Sequence, residues 1–101
     1  MKPIKINSLA SKDYAEALLY YNNESPEKAQ SFIDNIDSLL QAIQQHPRLF
    51  NRVRGNVRRY FKKPFPYAIY YYEEQESINI VAITHMRRDS SHWMDRITKQ
   101  K

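Results

Sequence analysis

SPEKAQSFIDNIDSLLQAIQQHP, residues 25–47, is the stretch from which the fold is read. Ser25 suits the N-cap of a helix, Pro26 its first helical position and Glu27 the positive end of the helix dipole. Ala29, Phe32, Ile33, Ile36, Leu39, Leu40 and Ile43 then recur with the 3.6-residue period of an amphipathic helix. Pro47 ends the pattern. About twenty residues at ~1.5 Å each make a helix roughly 30 Å long. Its apolar stripe has to be covered, and the flanking sequence supplies the cover.

Upstream, Ser11 can cap a helix running to Asn22, with Tyr14, Ala15, Leu18 and Leu19 on its apolar stripe. Asn22-Asn23 then breaks it. The connection to the second helix is so short that the pair should form an antiparallel hairpin. Residues 2–9 alternate, with Ile4 and Ile6 on one side, and read as a short strand.

Downstream of Pro47 the period becomes two. Residues 56–62 read as a strongly basic strand and residues 65–74 as a tyrosine-rich one. The polar turn Glu74-Gln75-Glu76-Ser77 follows, then a strand over 78–84 that is apolar on both faces and so belongs in the sheet interior. Ser90 or Ser91 can cap a short last helix carrying Trp93, Met94 and Ile97. The expected architecture is α+β, in the order β-α-α-β-β-β-α. An antiparallel sheet carries the helical hairpin on one face, the first strand joins its edge, and a short C-terminal helix follows. One domain over residues 1–101 is expected for this length.

Composition narrows the function classes. Without cysteine, disulfides and thiolate metal sites are excluded, and three histidines offer no ligand cluster, so no metal is expected. With Gly55 as the one glycine there is no glycine-rich phosphate loop, and no organic cofactor is expected. No apolar run approaches membrane-spanning length and the N-terminus lacks a signal-like apolar core, so a cytoplasmic location is expected. The net charge of +5 is uneven: residues 1–47 sum to −2 and residues 48–101 to +7. Residues 38–72 contain no acid but seven bases: Arg48, Arg52, Arg54, Arg58, Arg59, Lys62 and Lys63. This distribution is either a solvated basic surface or a positive face for an anionic partner, nucleic acid or acidic protein.

Three stretches carry a family resemblance: SPEKAQSFIDNI at 25–36, VRRYFKKPFPYAIYYY at 57–72 and VAITHMRRDSSHW at 81–93. With the element order, they resemble toxins of the RelE/ParE superfamily from bacterial type II toxin–antitoxin modules. The ending, histidine–x–arginine–arginine and then tryptophan, is similar to the ParE-like branch. The resemblance implies a growth-arresting toxin of the kind associated with plasmid stabilisation. It implies a ParE-like action on DNA gyrase or, alternatively, ribosome-dependent mRNA cleavage, or a degenerate non-toxic member that only binds antitoxin. It also implies a cognate antitoxin whose acidic, partly disordered segment becomes ordered on binding.

Metal-independent RNA cleavage needs a base for the 2′-OH, a cation for the phosphate and an acid for the leaving oxygen. Arg58 or Arg59 and Arg87 or Arg88 could supply the cation and His85 the base or acid, with His85, Arg87 and Arg59 as the candidate set. Nucleases of the superfamily often carry a tyrosine about six residues after their late arginine. Six residues after Arg87 stands Trp93, whose indole has no proton to give, and the nuclease set is incomplete. His85 is therefore read either as a proton carrier or as a hydrogen-bonding group where the strand ends, and Trp93 as core packing or a stacking surface. The candidate contacts for the target or the antitoxin are Arg54, Arg58, Arg59, Lys62, Lys63, Arg87 and Arg88.

Overall fold

A computed structural model of the chain describes residues 1–100, and of residues 98–100 the backbone alone. The elements are β1 (Ile4–Ile6), α1 (Ser8–Glu24), α2 (Pro26–Gln45), β2 (Arg52–Arg54), β3 (Val57–Tyr60), β4 (Tyr67–Glu73), β5 (Ile78–His85) and α3 (Ser91–Gln100). The α+β arrangement is the expected one, with a short strand, β2, added.

The helical hairpin turns on one residue. The Ser25 backbone N–H closes α1 on the Tyr21 carbonyl at 3.0 Å, while its hydroxyl accepts from the Lys28 N–H at 3.0 Å and opens α2. α1 therefore continues through Asn22-Asn23 to Glu24, because packing outweighs the modest helix penalty of two asparagines. Its cap is Asn7, whose side chain accepts from the Ala10 N–H at 2.7 Å, and not Ser11, which lies inside the helix. The inward face of α1 also differs from the expected stripe. Ala10, Asp13 and Ala17 are buried, with Tyr14, Leu18 and Tyr21 packed at the margin, whereas Ala15 and Leu19 face outward. α2 follows its sequence pattern, with Phe32, Ile36, Leu39 and Ile43 buried and Leu40 at the margin.

The sheet order is β1-β5-β4-β3-β2. β1 pairs with β5 in parallel, so the sheet is mixed and not wholly antiparallel as expected. β5, apolar on both faces, occupies the interior position read from its sequence. The basic segment splits into a β2–β3 hairpin around Gly55-Asn56, where Gly55 takes φ +55°, a conformation glycine adopts without a Cβ penalty. Gly-Asn between two runs is itself a hairpin signal, and it marks where one basic strand becomes two.

Each sheet face has its own core. Ile69, Tyr71, Ile78, Ile80 and Ile83 pack under the helical hairpin, where Phe32 meets the rings of Tyr14, Tyr21, Phe65 and Tyr67 at centroid distances of 5.0–5.8 Å. On the other face Val57, Ala68, Tyr70, Val81 and Ala82 pack under α3 through Trp93 and Ile97, and Trp93 stacks on Tyr70 at 4.8 Å. The cap of α3 forms at Ser90, whose carbonyl accepts from the Met94 N–H at 2.9 Å.

Phe32 is fully buried at the centre of the aromatic cluster. Phe32→Ala is expected to cost about 3–5 kcal/mol in thermal or denaturant unfolding, because the surrounding rings cannot collapse into the space. An unchanged unfolding midpoint would place this helix face wrongly.

One buried tyrosine and one ion-paired glutamate contribute to the two limbs of the stability–pH curve. Burial pushes the Tyr71 hydroxyl up to about 12 from an ordinary value of 10.0, and the hydroxyl donates to the Pro47 carbonyl at 2.7 Å. The neutral phenol is thus the folded form, so its contribution is complete below pH 10 and is lost as pH rises toward 12. Glu73 is shifted the other way, lowered by hydrogen bonds from Lys2 and Arg48 at 2.8 and 2.9 Å. Its contribution is complete above the ordinary carboxylate value and declines as pH falls below it. Tyr71→Phe should flatten the alkaline limb of a Tm–pH curve, and Glu73→Gln the acid limb. Limbs unchanged in these variants would refute the assignment.

Candidate functional site at the sheet rim

β5 ends at His85, and the antiparallel register sets His85 opposite Tyr67 at the start of β4. The end of β3 lies at this same end of the sheet, since Tyr60 pairs with Ile69. The 61–66 loop and the 86–90 loop are therefore neighbours, joined by a 2.9 Å bond from the Met86 N–H to the Pro66 carbonyl. This topology brings Lys62, Lys63, Arg87 and Arg88 to one rim. All four are exposed, and among the described residues none has a carboxylate partner.

The remaining sequence candidates are dispersed. Arg54 sits at the opposite end of the β2–β3 hairpin. Arg58 and Arg59 lie on opposite faces of β3, as strand alternation requires. Arg58 faces Tyr71 on the hairpin side, where its Nη1 donates to the Phe50 carbonyl at 2.7 Å. Arg59 faces Tyr70 on the α3 side and is exposed.

His85 is half-buried on the hairpin side, with its ring edge-on to Tyr67 at 5.4 Å. Its Nδ1 accepts from the Arg87 backbone N–H at 3.0 Å, which places the proton of the neutral ring on Nε2. His85 and Arg59 thus lie on opposite faces of the sheet. Of the cations suited to a nuclease role beside His85, Arg59 is separated from it by the sheet, whereas Arg58 shares its face.

Beside the rim is a buried ionic cluster that sequence reasoning missed. Asp13 of α1 accepts from Arg96 of α3 through both oxygens, at 2.6 and 3.0 Å. It also accepts from the Ile83 N–H at 3.1 Å, and its Oδ1 lies 3.1 Å from His92 Nε2. Arg96 Nη1 donates in addition to the Val81 carbonyl at 3.0 Å. Arg88 Nη1 lies 3.1 Å from His92 Nδ1, and His92 Nε2 lies between Asp13 Oδ1 at 3.1 Å and Arg96 Nη2 at 2.9 Å, so one imidazole touches the carboxylate and both guanidinium groups. A residue on α1 thereby fixes α3, and α3 fixes an arginine of the rim. The only sequence signal for this is an acid on the inward side of an amphipathic helix. Among the described residues no group of three His, Cys, Asp or Glu is placed to hold a metal ion.

The comparisons agree with this geometry. The model for the ParE toxin of type II toxin–antitoxin systems, parDE, matches residues 4–90. Toxin ParE2 of Mycobacterium tuberculosis, from strains CDC 1551 / Oshkosh and ATCC 25618 / H37Rv, is similar: 25% identical over 83 residues, covering 81% of this chain and 79% of the relative. Among solved structures, a chain from a chromosomal ParDE toxin–antitoxin system of P. aeruginosa superposes with a TM-score of 0.73 at 20% identity, covering 84% of this chain and 96% of that one. The mixed sheet, its one-residue helical hairpin and its basic rim define a small α+β protein with a positive edge. The chain belongs to the ParE toxin family of type II toxin–antitoxin systems.

Asp13→Ala would leave the Arg96 guanidinium, whose side chain is 10% exposed, without its carboxylate. The expected loss is about 3–5 kcal/mol, and Asp13→Ala combined with Arg96→Met should recover part of it, because removing both charges avoids an orphaned one. Additive losses in chemical unfolding would show that the two groups act independently.

Proposed function

We propose that this chain arrests bacterial growth by a ParE-like action on DNA gyrase and is neutralised by a cognate antitoxin. The family match over residues 4–90 carries the reading. The rim supports it: Lys62, Lys63, Arg87 and Arg88 present positive charge that no carboxylate of the described residues neutralises. An acidic antitoxin segment fits such a surface by charge and orders as it binds. The outer side of the helical hairpin adds an apolar groove of about 480 Å³ lined by Leu18, Leu19, Ala29 and Ile33, a shape that accepts an amphipathic helix. The separation of His85 from Arg59 by the thickness of the sheet weighs against metal-free RNA cleavage by that pair.

Production of the chain in bacteria without antitoxin tests the target. The expected outcome is growth arrest with reduced plasmid supercoiling and gyrase-linked DNA breaks, while mRNA stays intact. Cleavage of mRNA at ribosomal positions with normal supercoiling would overturn the reading in favour of an endonuclease, and absence of arrest would favour a non-toxic antitoxin binder. Lys62→Ala, Lys63→Ala and Arg87→Ala together should weaken toxicity or antitoxin affinity while each exposed change moves stability by no more than about 0.5 kcal/mol.

A further inference from the structure

The rim borders a furrow that the toxin reading does not use. α1 lies over the start of β4 and the end of β5, and between them is a cavity of about 210 Å³. Glu16 and Tyr20 form its helical wall, Tyr67 and His85 its sheet side, and Arg88 also borders it. A second depression of about 410 Å³ shares Tyr20, Tyr67 and His85 and continues toward Glu24 and Pro66.

The furrow combines three chemistries. Tyr20 and Tyr67 bring aromatic surface to it. The Tyr67 hydroxyl is raised by burial and drawn back by the charge of Arg88, so guanidinium and phenol sit in one environment. The donors are held in place before any ligand arrives: His85 is locked through Nδ1 with Nε2–H remaining, and Arg88 is held on His92. Two carboxylates line the cavity: Asp13 is committed to Arg96 and the Ile83 N–H, and Glu16, which has no ion-pair or hydrogen-bond partner among the described residues, is the acceptor left for a ligand. A simple anion would meet Glu16, and a simple cation would meet Arg88. The complementary ligand is a flat ring with acceptors on one edge and donors on the next.

Among the nucleobases, guanine has that pattern. O6 and N7 are acceptors suited to arginine and an imidazole N–H, while N1–H and the 2-amino group are donors suited to a carboxylate. Adenine would set its N1 lone pair against Glu16. Cytosine and uracil lack the N7 edge. Stacking on tyrosine is open to any base and adds affinity without choice. We propose that this furrow between α1 and the β4–β5 rim binds a guanine base, in a free nucleotide or in single-stranded nucleic acid. In a strand, the phosphates would run toward the positive rim of Arg87, Lys62 and Lys63.

The test uses the full chain and titrations of guanosine, GMP, AMP, CMP, UMP and inorganic phosphate, followed by amide chemical shifts. Guanosine and GMP should bind with a dissociation constant on the order of 1 mM or tighter, at least about tenfold better than AMP. Shifts should centre on Glu16, Tyr20, Tyr67, His85 and Arg88. Glu16→Gln, an exposed substitution with little expected effect on folding, should abolish the preference for guanine over adenine. Short single strands of RNA and DNA, each with one guanine, distinguish the sources. Tighter and salt-dependent binding of either strand relative to GMP would assign the furrow to nucleic acid, and equal binding to the free nucleotide. The proposal is overturned if no base saturates the protein, if phosphate competes as well as GMP, or if Glu16→Gln keeps the preference. A furrow that antitoxin or gyrase protects in hydrogen exchange, while guanosine does not bind, belongs to a protein partner and also overturns it.

Discussion

The carboxylate of Asp13 is the point on which the described structure turns. β1 is three residues long and pairs only with Ile78, Asn79 and Ile80, whereas β5 continues to His85. Beyond Ile80 the outer edge of β5 would carry backbone groups with no strand to meet them, a costly condition inside a protein. Asp13 Oδ2 takes the Ile83 N–H and Arg96 Nη1 takes the Val81 carbonyl. A buried ion pair thus stands in for a missing length of strand. The stretch is irregular as well: Tyr70 pairs with Ala82 and Tyr71 with Ile80, so Val81 is an extra residue on β5. Such a bulge re-aims backbone groups locally, which is where side-chain partners become necessary.

The same pair explains how so short a last helix holds its place. α3 packs by Trp93 on Tyr70 and by Ile97, a small apolar patch for an element near the end of the chain. The bidentate link from Arg96 to Asp13 adds a directional contact to an element on the far side of β5. The sheet therefore has a core on each face, and the two cores are joined around the edge of β5 by polar groups.

Much of this was legible in the sequence, and the exceptions have physical causes. The periodicity of α2 and the two-faced apolarity of β5 fixed the hairpin and the sheet interior, because burial leaves a period behind. The order of elements likewise placed the late arginines at the strand exit. The face of α1 was misread because small and ionised residues turn inward: Ala10, Asp13 and Ala17 give a weaker pattern than Ala15, Leu18 and Leu19. Asp13 could not be read as buried, since its partner Arg96 stands 83 positions away. The basic run over 38–72 was visible as charge but not as shape. A strand sends neighbours to opposite faces, so Arg58 went to a backbone carbonyl and Arg59 to the other side, and a single turn at Gly55 carried Arg54 to the far end.

These separations bear on which part of a basic protein can act as a site. Charge counted along the chain treats Arg54, Arg58, Lys62 and Arg88 as equals, but the fold gives them different freedom. Arg58 spends a donor on Phe50, and Arg96 is committed to Asp13. Lys62, Lys63 and Arg87 remain exposed without a carboxylate partner among the described residues. Arg88 lies between these cases, because it rests on His92, whose other nitrogen is bound to Asp13. The position of that guanidinium at the rim is thus linked through one imidazole to the carboxylate that completes the edge of β5. A partner that draws Arg88 away from His92 removes that one contact, while the bidentate Asp13–Arg96 pair still holds α3.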